Sequence, residues 1–145
     1  MQENKVDARC IELIKLYEGL RLKSYRCPAG LLTIGYGHTG PDVLEGQSIT
    51  EKMAESLLFL DVQEALNSLN KLVKVPLSLG QAGALTSMLF NFGAKALATS
   101  TLFWLVNQKD FVLAEQQFSR WIYVNGVSSD GLRRRRAAER RLFTS

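Results

Sequence analysis

A chain of 145 residues, 46% hydrophobic and 22% charged, has enough apolar surface for one buried core and the composition of an ordinary globular domain. No apolar run reaches the roughly 18 residues that a bilayer-spanning helix needs, and residues 1–7 carry no basic-then-apolar leader, so the expectation is a cytoplasmic chain without a signal peptide. The net charge of +4 is uneven: six arginines stand against Glu139 between Gly131 and Ser145, while the rest carries 12 basic and 13 acidic residues.

That tail suits a polyanionic partner or surface, or else a solvated helix face. Cys10 and Cys27 are too few for a disulfide framework, and one histidine, His38, leaves a zinc site short of ligands. No metal and no cofactor are therefore expected.

In chain order, residues 7–17 set Cys10, Leu13, Ile14 and Tyr17 at helical spacing, with Gly19 as the stop. Cys10 falls on the apolar stripe, as a small core hydrophobe. Glu18 stands at the negative, C-terminal end of that helix, which disfavours its ionised form and raises its pKa. A carboxyl that keeps its proton near neutral pH suits general acid catalysis.

The periodicity then changes. Pro28-Ala29-Gly30 reads as a turn, and a β-rich run interleaved with Gly35, Gly37 and Gly40 follows it. Glycines there either uncover the main chain for a ligand or make a tight surface hairpin.

Beyond the turn at Gly40-Pro41-Asp42, Thr50 reads as the cap of a long helix ending near Lys74, with Met53, Leu57, Leu60, Leu66 and Leu69 as its apolar stripe. Pro76 ends that segment, and Ser78 with Gln81 forms a capping box before the most apolar helix, carrying Leu85, Met88, Leu89 and Phe92. Shorter helices are predicted over 100–107, 110–121 and 131–143, with Thr101, Asp110 and Asp130 as their N-terminal signals.

Glu18, eight residues, Cys27, five residues and Thr33 resembles the catalytic pattern of the phage-type lysozymes, or endolysins, and Thr33-Ile34-Gly35-Tyr36-Gly37-His38-Thr39 resembles the signature that follows it. The likeness continues through Gln81–Leu85, Phe90–Gly93, Ser100–Leu102 and the arginine-rich end, so it covers nearly the whole chain.

The resemblance implies a mostly helical α+β, lysozyme-like fold in a single domain. Residues 20–50 would form a small β-hairpin lobe, 50–74 a connecting helix, and 1–19 with 75–145 a larger helical lobe. It implies hydrolysis of the β-1,4 bond between N-acetylmuramic acid and N-acetylglucosamine in peptidoglycan. Glu18 would be the general acid, Cys27 and Thr33 would hold or activate the water, and Thr39, Phe90 and Thr101 would line the glycan cleft.

Inversion needs about 6.5–9.5 Å between the paired groups to admit that water. An unperturbed thiol of pKa about 8.5 is a weak base at neutral pH unless a cation such as the adjacent Arg26 lowers it. Cys27 therefore stays open between base, nucleophile and passive thiol, with water activation preferred. His38 reads as a structural hydrogen-bonder. One arginine of 133–136 would face the cleft and pair with Glu18 or its neighbourhood, opposing the helix-end effect on its pKa.

By resemblance the chain would be a monomer that waits in the host cytoplasm for a holin-type pore. Its C-terminal helix either touches anionic membranes or docks its apolar edge on the larger lobe. A binding module without activity could dispense with Glu18. A nucleic-acid partner is not expected, because the body outside the tail is slightly acidic and no such motif is present.

Overall fold

The computed structural model describes residues 3–145. Met1 and Gln2, which belong to the segment read as leaderless and to the start of the helical lobe, lie outside the described residues.

The first helix, α1 (Ala8–Glu18), starts at Asp7, whose carboxylate accepts from the Arg9 N–H at 3.0 Å, and stops at Gly19. Ahead of it, Asn4 clamps the incoming chain to the far end of the molecule. Its side chain donates to Val75 O and accepts from Leu77 N–H, while its backbone exchanges hydrogen bonds with Asn70.

The glycine-rich stretch folds as an antiparallel meander of β1 (Arg21–Arg26), β2 (Leu32–Gly35) and β3 (His38–Thr39). Thr33 stands in the central strand, opposite Tyr25 on one side and Thr39 on the other. The turn between β1 and β2 closes through Cys27, whose N–H donates to Leu31 O and whose carbonyl accepts from Gly30 N–H.

Helix α2 (Glu51–Leu72) is capped by Thr50 as expected; at 22 residues it spans about 33 Å. Its buried face differs from the predicted stripe. Ala54, Leu58, Val62, Ala65 and Leu69 are buried, whereas Met53 and Leu60 are half or more exposed. This helix is apolar on more than one side, and packing selects the row that has partners.

The first half of that row joins Cys10, Ile14, Ile34, Tyr36, Val43 and Ile49 in one core. The second half joins α3 (Leu79–Phe92) and the helices after it in another. One helix thus serves two cores, and Val6 and Phe90 pack against both.

The Ser78–Gln81 capping box begins α3, which is buried from Gly80 to Leu89 except for Gln81. Around it lie α4 (Ala94–Ala98), α5 (Thr101–Asn107), α6 (Phe111–Gln117) and α7 (Asp130–Phe143). A Cβ on Gly83 would press on Leu142 at 3.2 Å and on Cys10 at 3.3 Å, so this glycine lets α1, α3 and α7 approach closely.

Three local expectations change. Ser100 and Ser129, one residue before Thr101 and Asp130, are the true caps, because their hydroxyls accept from Phe103 N–H and Leu132 N–H. The helix predicted to reach Trp121 tightens into a 3-10 turn after Gln117. A small hairpin, β4 (Tyr123–Val124) with β5 (Val127–Ser128), was not anticipated. Its Asn125-Gly126 turn, with φ of 50° and 81°, is a strong hairpin signal.

The corrected face of α2 is testable by urea unfolding. Leu58→Ala should cost about 2–5 kcal/mol, and Leu60→Ala about 0.5 kcal/mol or less.

Candidate active site

Glu18 ends α1 and points back across the molecule to α7. Its Oε2 accepts from Arg135 Nη1 at 2.5 Å, and the Arg135 side chain is almost wholly buried. Arg135 is thus the arginine of the 133–136 run that meets the glutamate. The end of α1 is further tied to α7 by the Tyr17 hydroxyl, which donates to Arg134 O at 3.2 Å.

On its other side the Glu18 carboxylate rests on Gly37, between β2 and β3. A Cβ there would collide with Glu18 Oε1, and the backbone, at φ +73°, favours glycine on its own account. The glycine-rich run therefore does bring bare main chain close to a side chain, and that side chain is the protein's own Glu18.

Cys27 is half-buried in the β1–β2 turn, and Thr33 is buried beneath it, its hydroxyl donating to Leu31 O at 3.0 Å. Backbone hydrogen bonds at Leu31 and Ala29, with the Thr33 hydroxyl, draw the Cys27 thiol below its ordinary value against a smaller effect of burial. The expected cation is not among the causes: the Arg26 guanidinium is engaged with Gly30 O, to which it donates at 3.0 Å.

Two hollows lie near the glutamate, one reached through Gly37 and one lined by Glu18 itself. One, of about 330 Å³, lies between the lobes and is lined by Gly37, Thr39, Asp61, Glu64, Ser68 and Phe90 among others. The second, of about 680 Å³, is lined by Glu18 itself with Asn91, Val124, Leu132 and Arg135. Thr39 and Phe90 thus meet at the cleft. Thr101 is exposed on the first turn of α5 and lines neither hollow. An apolar groove of about 410 Å³ between Ile34, Val43, Ile49 and the outer face of α2 carries none of the predicted residues.

His38 stands at the lip of the cleft between two carboxylates, with Nδ1 at 2.7 Å from Asp61 Oδ2 and Nε2 at 2.9 Å from Asp42 Oδ2. Burial opposes its charge, yet the hydrogen bonds and charges of Asp61 and Asp42 together raise its pKa. Asp61 is pushed up by burial, against His38.

Asp61, Glu64 and Ser68 in the cleft were not expected from the sequence, nor was the burial of Glu139 against Arg135 and Arg136. The spacing of Arg135 and Arg136 to Glu139, i+4 and i+3 on one helix, was the available signal for the last.

Two lobes sharing one long helix, with a carboxyl held where they meet, is the architecture of the lysozyme-type glycosidases expected from the resemblance. The chain belongs to the phage lysozyme family, whose model matches residues 15–139. It is 42% identical over 144 residues to an endolysin of Acyrthosiphon pisum secondary endosymbiont phage 1, covering 97% of this chain and 98% of that protein. Among solved structures, the muramidase domain of SpmX from Asticaccaulis excentricus superposes with a TM-score of 0.91 at 36% identity, over 99% of each chain. A mutant P22 lysozyme superposes at 0.85 with 38% identity over the full length of both.

The His38 contacts carry a pH signature. With the folded pKa raised, their contribution is fully present below the unfolded value of about 6.5 and is lost as pH rises through the folded one. The Tm advantage of the wild type over His38→Gln should therefore be larger at pH 5.5 than at pH 9 by thermal melts.

Proposed function

We propose that this chain is a muramidase that cleaves the β-1,4 bond between N-acetylmuramic acid and N-acetylglucosamine in bacterial peptidoglycan, with Glu18 as its general acid. The observation that carries the reading is the Glu18 carboxyl, fixed by Arg135 and resting on Gly37, which lines the cleft between the two lobes. Thr39 and Phe90, in the adjoining hollow, would contact the glycan, and Thr101 would meet it further out along the helical lobe. Residues 20–50 form the small lobe in this reading, 50–74 the connecting helix, and 1–19 with 75–145 the helical lobe.

In the proposed reaction Glu18 gives its proton to the glycosidic oxygen as the bond to the anomeric carbon breaks. A water held by Cys27 and Thr33 attacks that carbon from the opposite face, which inverts it. The lowered thiol pKa supports Cys27 as the acceptor of the water's proton. Solvent then returns a proton to Glu18 and removes one from Cys27, restoring both groups.

The proposal includes a monomer, which waits in the host cytoplasm and reaches the wall through a holin-type pore. Among the described residues no helix is long and apolar enough to cross a membrane. Contact with anionic lipid, if made by the C-terminal helix, falls to the exposed Arg133, Arg134 and Arg141, because Leu142 and Phe143 are buried in the helical lobe. Such contact would be electrostatic and weakened by salt.

Turbidity loss of outer-membrane-stripped Gram-negative walls tests the acid. Glu18→Gln should clear them about 10²–10⁴-fold more slowly than wild type, with hydrated reducing ends in the wild-type products by mass. Anhydro ends would indicate a transglycosylase and remove the water-holding roles of Cys27 and Thr33. Cys27→Ala should lower kcat by about 10²-fold or more with KM little changed; an unaltered kcat would make the thiol passive.

A further inference from the structure

Arg135 has two carboxylates to serve. One is Glu18, at 2.5 Å from Nη1; the other is Glu139, one turn further along α7, whose Oε2 lies 3.5 Å from Arg135 Nε as an ion-pair contact without a hydrogen bond. Glu139 is completely buried. A carboxylate so far from water persists only with several partners aimed at it.

Glu139 has them. The Ser87 hydroxyl, on α3, donates to Oε2 at 2.5 Å, and Arg136 Nη2 donates to the same oxygen at 2.9 Å. Arg136 Nε lies 2.5 Å from Oε1, an ion-pair approach outside hydrogen-bond alignment. Burial pushes the Glu139 pKa up, while Arg136, Arg135 and Ser87 oppose that rise.

Arg136 is engaged elsewhere as well, donating to Trp121 O at 3.1 Å and lying 4.9 Å from the Phe92 ring. Ser87 also stands 3.4 Å from Arg135 Nη2 through both its carbonyl and its hydroxyl oxygen. From α1, the titratable group coupled to Glu139 is Cys10, whose thiol burial and then the Glu139 charge push up to about 12, so it stays neutral. Two guanidinium groups and two carboxylates, Glu18 and Glu139, therefore make one balanced network.

We propose that Glu139 is a positioning residue for the acid: from inside α7 it fixes the direction of the Arg135 guanidinium and shares its charge, so that Glu18 meets a partly neutralised cation. The inference rests on the reading of Glu18 as the general acid. An unshared Arg135 would hold Glu18 as a carboxylate and oppose the protonated form that donates to the sugar. Glu139 relieves that hold while Ser87 keeps Glu139 in place.

The test follows the Glu18 carboxyl directly, by carbon NMR of glutamate-labelled protein through a pH titration, alongside the pH profile of wall clearing. In Glu139→Gln the Glu18 titration should move down by about half a unit or more. The alkaline limb of kcat should move with it, a loss of roughly threefold above the limb, with KM unchanged. Glu139→Asp, which keeps the charge, should return the limb toward wild type.

Ser87→Ala removes one donor without emptying the arginine site, and should shift both readouts the same way by less. It decides the matter if Glu139→Gln does not fold. A folded Glu139→Gln or Ser87→Ala protein whose Glu18 titration and alkaline limb stay in place, whatever its Tm or specific activity, overturns the proposal and leaves Glu139 a packing residue. If Glu18→Gln itself stays active, the acid assignment fails, while the Glu18 titration still reads the coupling.

Discussion

The buried Arg135 guanidinium is the constraint on which the arrangement depends. It lies in the last helix and reaches the last residue of the first, so the two ends of the chain meet at one ion pair. Taking a charge out of water is costly, and the attraction between partners repays it only with good geometry and satisfied hydrogen bonds. Arg135 meets the charge part of that condition by having a carboxylate on each side, and Arg136 by sharing the second of them, although Nε of each arginine makes no hydrogen bond. Removing one member would strand a charge in a nearly dry interior, so α1, α3 and α7 are committed to a single mutual placement.

That placement explains the shape of the cleft. Helix α2 contributes to two cores, one under the sheet and one within the helical lobe, and the space left between them is open to solvent. The sheet is brought to Glu18 by its backbone, since the carboxyl occupies the volume that a side chain at residue 37 would need. The helix end supplies a negative field, the arginine a positive one, and the bare glycine the room for a carboxyl between them. His38, bound to Asp61 of α2 and to Asp42 of the following loop, pins the third strand to the connecting helix and so holds the lip of the cleft.

Much of the local structure was legible because its causes are local. Caps at Thr50, Ser78 and Asp110 and the stop at Gly19 are encoded within a turn or two of where they act. Ser100 and Ser129 were displaced by one residue because Thr101 and Asp130 are also good helix-start residues, and only backbone geometry decides between neighbours. The Asn125-Gly126 hairpin carried its own signal and went unread beside the helical patterns around it. The α2 stripe failed for another reason: Met53, Leu57, Phe59 and Leu60 make several faces apolar, and no periodicity says which one will find a partner.

By itself the sequence determined the longer helices, the glycine-rich β region, the family, and the spacing of Glu18, Cys27 and Thr33, since all of these are written in residues close along the chain. It also led to the expectation that one arginine of 133–136 faces Glu18 or its neighbourhood. Which one, and that its neighbour would be buried beside Glu139 and Ser87 rather than solvated, was decided by the tertiary structure. Four like charges in a row are equivalent to any local rule. They become distinct only when α7 is laid against α3 and α1, where burial makes a partner obligatory for two of them and water suffices for the others.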